Sequence, residues 1–200
     1  MRNKIFLFSC VIFFSFFAKA QKKNPIDKIF TPEEAKTMYQ IIDFYDAFVL
    51  SKTDTNLPID EAYKAILENN MGFIGDSGTI DPLVPDEESG KSFFRSLDLI
   101  HLKEIFADSF RIRKYGEKEW VTVYLSDRNF AFNMRGKYMQ LIKKMGNKNK
   151  FYKHYYENAM LCHDVYCPTI YAMLLFENEK INFRKPEERF AFMMIFLFPH

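Results

Sequence analysis

Four side chains with reactive or metal-binding chemistry fall close together near the C-terminal end of the chain: Cys162, His163, Asp164 and Cys167, with His154 a short way upstream. Thiolate and imidazole are zinc ligands, but a single C-x4-C pair departs from the short-spaced pairs of zinc modules, so no metal site is assigned. Two cysteines in an exported chain form a disulfide more readily than a metal site. A Cys162–Cys167 bridge closes a short loop and contributes ~2 kcal/mol through chain entropy. A histidine beside a carboxylate can titrate near neutrality and do acid–base work. His163 and Asp164 are adjacent in sequence, however, and no nucleophile pairs with them, so no catalytic residue is assigned and no cofactor is implied.

Gly75-Asp76-Ser77-Gly78 resembles the nucleophile motif of chymotrypsin-like serine proteases. Thr79 and Ile80 stand where Gly-Pro would follow, no histidine precedes Ser77, and the two-barrel fold of that family needs a longer, strand-rich chain. The tetrapeptide is read as turn residues. Asp76, Asp81, Asp86, Glu87 and Glu88 carry oxygen ligands of the type calcium takes, without EF-hand spacing, and read as a solvated loop.

Charge segregation is the stronger signal. Between Arg128 and Tyr156 there are eight basic residues and no acidic one, whereas Leu57 to Gly90 holds eight acidic residues against Lys64 alone. Arg135, Lys137, Lys143, Lys144, Lys148 and Lys150 are the candidate binding residues, interleaved with Tyr138, Phe151, Tyr152, Tyr155 and Tyr156. Such a block can steer and hold a polyanion or an acidic protein of the cell envelope. The competing expectation is that the two blocks neutralise one another or are solvated helix faces.

The elements that carry these residues follow from the hydrophobic pattern. Met1 to Ala20 has the three parts of a secretory signal peptide: Arg2 and Lys4, the apolar run Ile5 to Phe17, and Ala18-Lys19-Ala20 as a cleavage site. The apolar run is too short to span a bilayer. Cleavage would leave a single domain, residues 21–200, in the periplasm or the medium, with no transmembrane anchor. It also turns the net charge from +2 to −1, which with the compartment disfavours nucleic acid as a partner.

Residues 21–30 read as a poorly ordered start. Thr31-Pro32-Glu33-Glu34 opens a helix whose stripe, Ala35, Met38, Ile42, Tyr45 and Val49, runs to about Leu50. Further helices are expected at Ile59–Asn69, Ser92–Ala107, from Ser126 through Met145, and Asn149–Leu161. Asn70 to Gly90 reads as a long loop. A β-hairpin is expected near residues 110–125, with its turn at Tyr115 to Lys118. Thr169–Phe176 is a short apolar element, and Pro186-Glu187-Glu188 leads into Arg189–Phe198, which is apolar on every face and fits a buried helix or a central strand at the centre of the core; the helix is preferred for its opening.

The expected fold class is therefore mainly α, α+β at the margin, with one hairpin. The expected function is non-enzymatic: an exported envelope protein that binds a macromolecule, such as an immunity-type inhibitor or an accessory subunit. Two alternatives remain open. A cell-wall or polysaccharide hydrolase would use the loop at 70–90 as a lid over His101 or His163 and would need a deep pocket gathering titratable groups. A small-ligand carrier would need an enclosed apolar cavity.

Overall fold

A computed structural model describes residues 24–71, 85, 87–112, 121–124, 131–165 and 168–196. These residues form a mainly α-helical domain with one antiparallel strand pair. The proposed signal peptide, most of the acidic loop including GDSG, the hairpin turn and Cys167 lie outside the described residues.

The chain enters through a short helix, α1 (Pro25–Ile29), where a disordered start is expected from sequence. The Asn24 carboxamide accepts from the Ile26 amide, and Ile26 and Phe30 are buried one helical turn apart. Five residues are too few for an amphipathic period to show, so capping and two anchors hold α1 instead. The long α2 (Pro32–Lys52) begins as its sequence demands: Thr31 Oγ1 accepts from the Glu34 amide and Glu34 returns its carboxylate to the Thr31 amide. Its buried stripe includes Ala35, Met38, Ile42, Tyr45 and Val49.

Helix α3 (Ile59–Met71) packs on α2 through Ala62, Tyr63, Ile66 and Leu67. The single helix expected over Ser92–Ala107 is two, α4 (Glu87–Ser96) and α5 (Leu99–Leu102). Asp98 accounts for the break, since its carboxylate caps the Ile100 amide and starts a new helix. Strands β1 (Ser109–Ile112) and β2 (Val121–Tyr124) pair antiparallel, Ser109 opposite Tyr124 and Ile112 opposite Val121.

Helix α6 (Lys137–Gly146) starts well after the Ser126 cap expected from sequence. The backbone of residues 131–133 pairs instead with residues 105–107: the Ala107 amide donates to the Ala131 carbonyl and the Asn133 amide to the Ile105 carbonyl. Asn133 completes the diversion by donating to the Lys103 carbonyl and accepting from the Arg135 amide. At Gly136 the two segments touch, because a Cβ there would collide with the Glu104 carbonyl oxygen.

Helix α7 (Lys150–Cys162) lies back along α6. The turn is tight because Gly146 has no side chain: a Cβ would sit 2.9 Å from the Lys153 Cα. Asn149 caps α7 at the Phe151 amide and donates to the Lys180 carbonyl. After α8 (Pro168–Phe176) and a 3-10 turn at Asn178–Lys180, α9 (Pro186–Phe196) closes the domain. Six consecutive residues, Phe190 to Ile195, are each at most 1 % exposed, so α9 holds the central core position that its all-round apolarity predicts, and of the two expected forms it is the helix. Tyr63, Phe183 and Phe192 pack ring on ring around it.

A partly buried ion pair ties α9 to α2 and α3. The Arg189 guanidinium holds both oxygens of Asp46 and donates to the Phe183 carbonyl, while the Tyr63 hydroxyl donates to Asp46 at 2.8 Å. Burial raises the Asp46 carboxyl against the lowering by Arg189 and Tyr63, and burial beside Asp46 pushes the Tyr63 phenol far up.

Candidate functional site

The helical hairpin α6–α7 sets the candidate basic surface. On α6 the residues Tyr138, Met139, Leu141, Ile142 and Met145 face the core, which leaves Lys143 and Lys144 on the solvent side of its last turn. Positive side chains there complement the carbonyl end of the helix. The connecting turn and the start of α7 add Lys148 and Lys150, also exposed, and Arg135 stands exposed ahead of α6. Arg135, Lys143, Lys144, Lys148 and Lys150 form no ion pair among the described residues; Lys143 Nζ lies 5.6 Å over the Tyr156 ring. No ion pair joins the described acidic residues of 57–90 to this surface, and Asp60 of that block is held by Arg184 at 2.8 Å.

Lys137 does not belong to the surface. Its ammonium sits 2.6 Å from both oxygens of Glu34 and 3.6 Å from Glu104, so it bridges the start of α6 to the cap of α2. Burial favours the neutral forms of both groups, but the Lys137–Glu34 contact outweighs it: Glu34 titrates below its ordinary value and Lys137 above. The interleaved rings are likewise structural. Tyr138, Phe151, Tyr152 and Tyr155 are buried, and Tyr138 and Tyr155 share a hydroxyl–hydroxyl bond of 2.7 Å. Only Tyr156 of that set is partly exposed.

The histidines are placed apart. His101 Nδ1 is 2.8 Å from Thr37 Oγ1, between α5 and α2. His154 is exposed on α7. His163 ends α7 in the left-handed region, φ 55°, while the Ala159 carbonyl accepts from both the His163 and the Asp164 amides. That is a helix-terminating geometry, which gives His163 a backbone role. Cys162 is exposed at the end of α7; no disulfide joins two described residues, and its expected partner Cys167 lies outside them. Among the described residues no group of three or more His, Cys, Asp or Glu side chains could hold a metal ion, and no helix is long and apolar enough to cross a membrane.

A cavity of about 660 Å3 opens beside the α6–α7 turn, bounded by α1 and by the start of α9. Lys144, Lys148 and Lys150 line it, and so do Glu187 and Glu188, which sequence reasoning treated only as a helix start. It does gather titratable groups from distant parts of the chain, but neither His101 nor His163 is among them. The signal that could have found it is the pair of adjacent carboxylates running straight into an all-apolar helix, because a charge so close to the core must have something to face.

Comparison of the chain with protein-family models, with curated proteins and with solved structures finds no match in any of the three. Function is therefore argued from the residues alone.

Proposed function

We propose that the protein is an exported component of a bacterial envelope that works by binding an acidic protein or polyanion through the α6–α7 hairpin. Export rests on the Met1 to Ala20 pattern, and the oxidising compartment it leads to suits a Cys162–Cys167 disulfide. The observation that carries the binding role is the set of exposed cations at Arg135, Lys143, Lys144, Lys148 and Lys150, none of which forms an ion pair among the described residues. Within the α6–α7 hairpin the nearest carboxylate is Glu157, 3.9 Å from Lys153; Glu187 and Glu188 of α9 border the same cavity as Lys144, Lys148 and Lys150 without an ion pair to them among the described residues. An immunity-type inhibitor or an accessory subunit would use such a face in the same way, through steering charge around a few central contacts.

The test is affinity capture from the native envelope with the wild-type protein and with Lys143→Glu/Lys144→Glu. Both residues are exposed and unpaired, so the variant keeps its fold, which circular dichroism verifies. One partner recovered in near-stoichiometric amount by the wild type, released by moderate salt and lost with the variant supports the reading. Equal recovery by the two proteins refutes it.

A further inference from the structure

The cavity beside the α6–α7 turn has two chemically distinct walls. One is cationic: Lys28 of α1 and Lys144, Lys148 and Lys150 of the hairpin all line it, and none of these four ammonium groups has an ion-pair or hydrogen-bond partner among the described residues. The N-terminus of α7, thirteen residues long and without an acidic residue in its first turn, borders the same wall and adds to its positive potential.

The opposite wall is the start of α9, where two neighbouring carboxylates are treated differently. Glu188 is fully engaged: its Oε2 accepts from the Tyr152 hydroxyl at 3.0 Å and the Asn182 amide at 2.7 Å, and its Oε1 from Lys185 at 2.6 Å. Glu187 is only 8 % exposed and lines the cavity, yet no donor reaches its carboxylate among the described residues. Its charge is felt nearby. Burial, the neighbouring Asp27 and, more weakly, Glu187 push the Tyr39 phenol up to about 12. The Tyr45 hydroxyl is the buried side-chain polar atom without a partner among the described residues, so the Glu187 oxygens reach the cavity's solvent and are open to a donor carried by a ligand.

We propose that this cavity is a binding site for a small zwitterion that carries a phosphate and a primary amine, the phosphate held by Lys28, Lys144, Lys148 and Lys150 and the ammonium by Glu187. The phosphate meets the unpaired lysines as point charges, and the ammonium supplies the charge-assisted hydrogen bonds that Glu187 lacks. A volume of about 660 Å3 lies within the range of small-molecule sites and is ample for such a molecule. The same chemistry is presented by a soluble phosphoamine and by an aminophospholipid headgroup. The site shares Lys144, Lys148 and Lys150 with the exposed ridge of the reading above, but it adds Glu187 and Lys28, which lie outside that ridge, so variants at these two residues separate the failure of one reading from the failure of the other.

Isothermal titration of the purified protein at low salt with O-phosphoethanolamine, inorganic phosphate and ethanolamine tests the proposal. The expected order is O-phosphoethanolamine at least tenfold tighter than inorganic phosphate, with ethanolamine weaker than either. Glu187→Gln should abolish the tenfold preference while leaving phosphate binding equal or stronger, and Lys148→Ala should weaken both phosphate-bearing probes. Lys64→Glu, on α3 and outside the cavity lining, should leave all three titrations within twofold. Co-sedimentation with phosphatidylethanolamine vesicles then separates the sources: retention that Glu187→Gln removes assigns a lipid headgroup, and binding of the free probe without retention assigns a soluble ligand. Equal affinity for O-phosphoethanolamine and phosphate, no binding of either at millimolar concentration, or a Glu187→Gln variant that keeps the preference would overturn the proposal.

Discussion

Replacing Lys137 by Met separates a structural lysine from a binding one. Met retains most of the apolar stem and removes the ammonium that holds both oxygens of Glu34 at 2.6 Å. Hydrogen bonds to a charged group are worth about 1.5–3 kcal/mol each when buried. Here the side chains are 25 % and 12 % exposed, so water recovers part of the loss, and a value in the lower half of that range, about 2 kcal/mol, is the expected cost. For a domain of this size that lowers Tm by about 4–8 °C. The pH dependence carries the sign. Glu34 is depressed below its ordinary 4.5, so its share of the stability is present above that value and is lost as pH falls through the folded pKa. Lys137 is raised above 10.5, so its share is present below that value and is lost as pH rises through the folded pKa. The gap between wild type and Lys137→Met, measured by urea unfolding, should be widest at neutral pH and close as pH falls through the lowered pKa of Glu34. A variant as stable as wild type at pH 7 that loses partner affinity as Lys143→Glu/Lys144→Glu does would refute the structural assignment.

Four further outcomes are expected. Gly136→Ala drives a Cβ into the Glu104 carbonyl, which also accepts from the Tyr138 amide at 3.1 Å, and should cost about 1–3 kcal/mol in chemical denaturation. His163→Gly relieves the left-handed backbone at φ 55° and should raise stability by about 1 kcal/mol without altering partner capture; a loss of capture would give the imidazole a role beyond ending the helix. The Tyr45 hydroxyl is buried without a hydrogen-bond partner, so Tyr45→Phe should stabilise by about 1–2 kcal/mol, and a drop in Tm would show that an internal water serves it. Protein isolated from its native compartment should give no thiol reaction at Cys162 or Cys167 after denaturation and gain two hydrogens on reduction, while free thiols in the denatured protein would remove the disulfide from the proposal.

Local chemistry made much of this fold readable. Thr31-Pro32-Glu33-Glu34 announces α2 because every partner of the capping box lies within four residues, and Phe190 to Ile195 announces a core segment because no face of it can meet water, although its apolarity alone fits a strand as well as a helix. The hairpin strands follow from a switch in period at Phe110. What stayed hidden depends on contacts made across the chain. The helix expected from Ser126 has a regular stripe, yet Asn133 finds the Lys103 carbonyl 30 positions away and residues 131–133 join the 105–107 segment instead. Phe132 consequently enters the core from an isolated bridge and not from a helix.

The candidate surface shows the same limit more sharply, because charge type says nothing about availability. Lys137 and Lys143 are six residues apart on one helix and chemically identical; one is held by a glutamate 103 positions earlier, the other is exposed. Glu187 and Glu188 are adjacent, and only the second is tied down, through Tyr152 and Lys185. In both pairs the distinction is made by which partner the fold brings within hydrogen-bond distance. A charged residue left over after folding is the informative one, since a ligand that pairs with it in the folded state alone adds to stability. Glu187 meets that condition inside the domain, as do the lysines facing it, so a ligand that satisfies both walls should stabilise the protein against heat as well as bind it. A Tm that rises with O-phosphoethanolamine in the wild type but not in Glu187→Gln is the expected result, and equal shifts in the two proteins would place the ligand elsewhere.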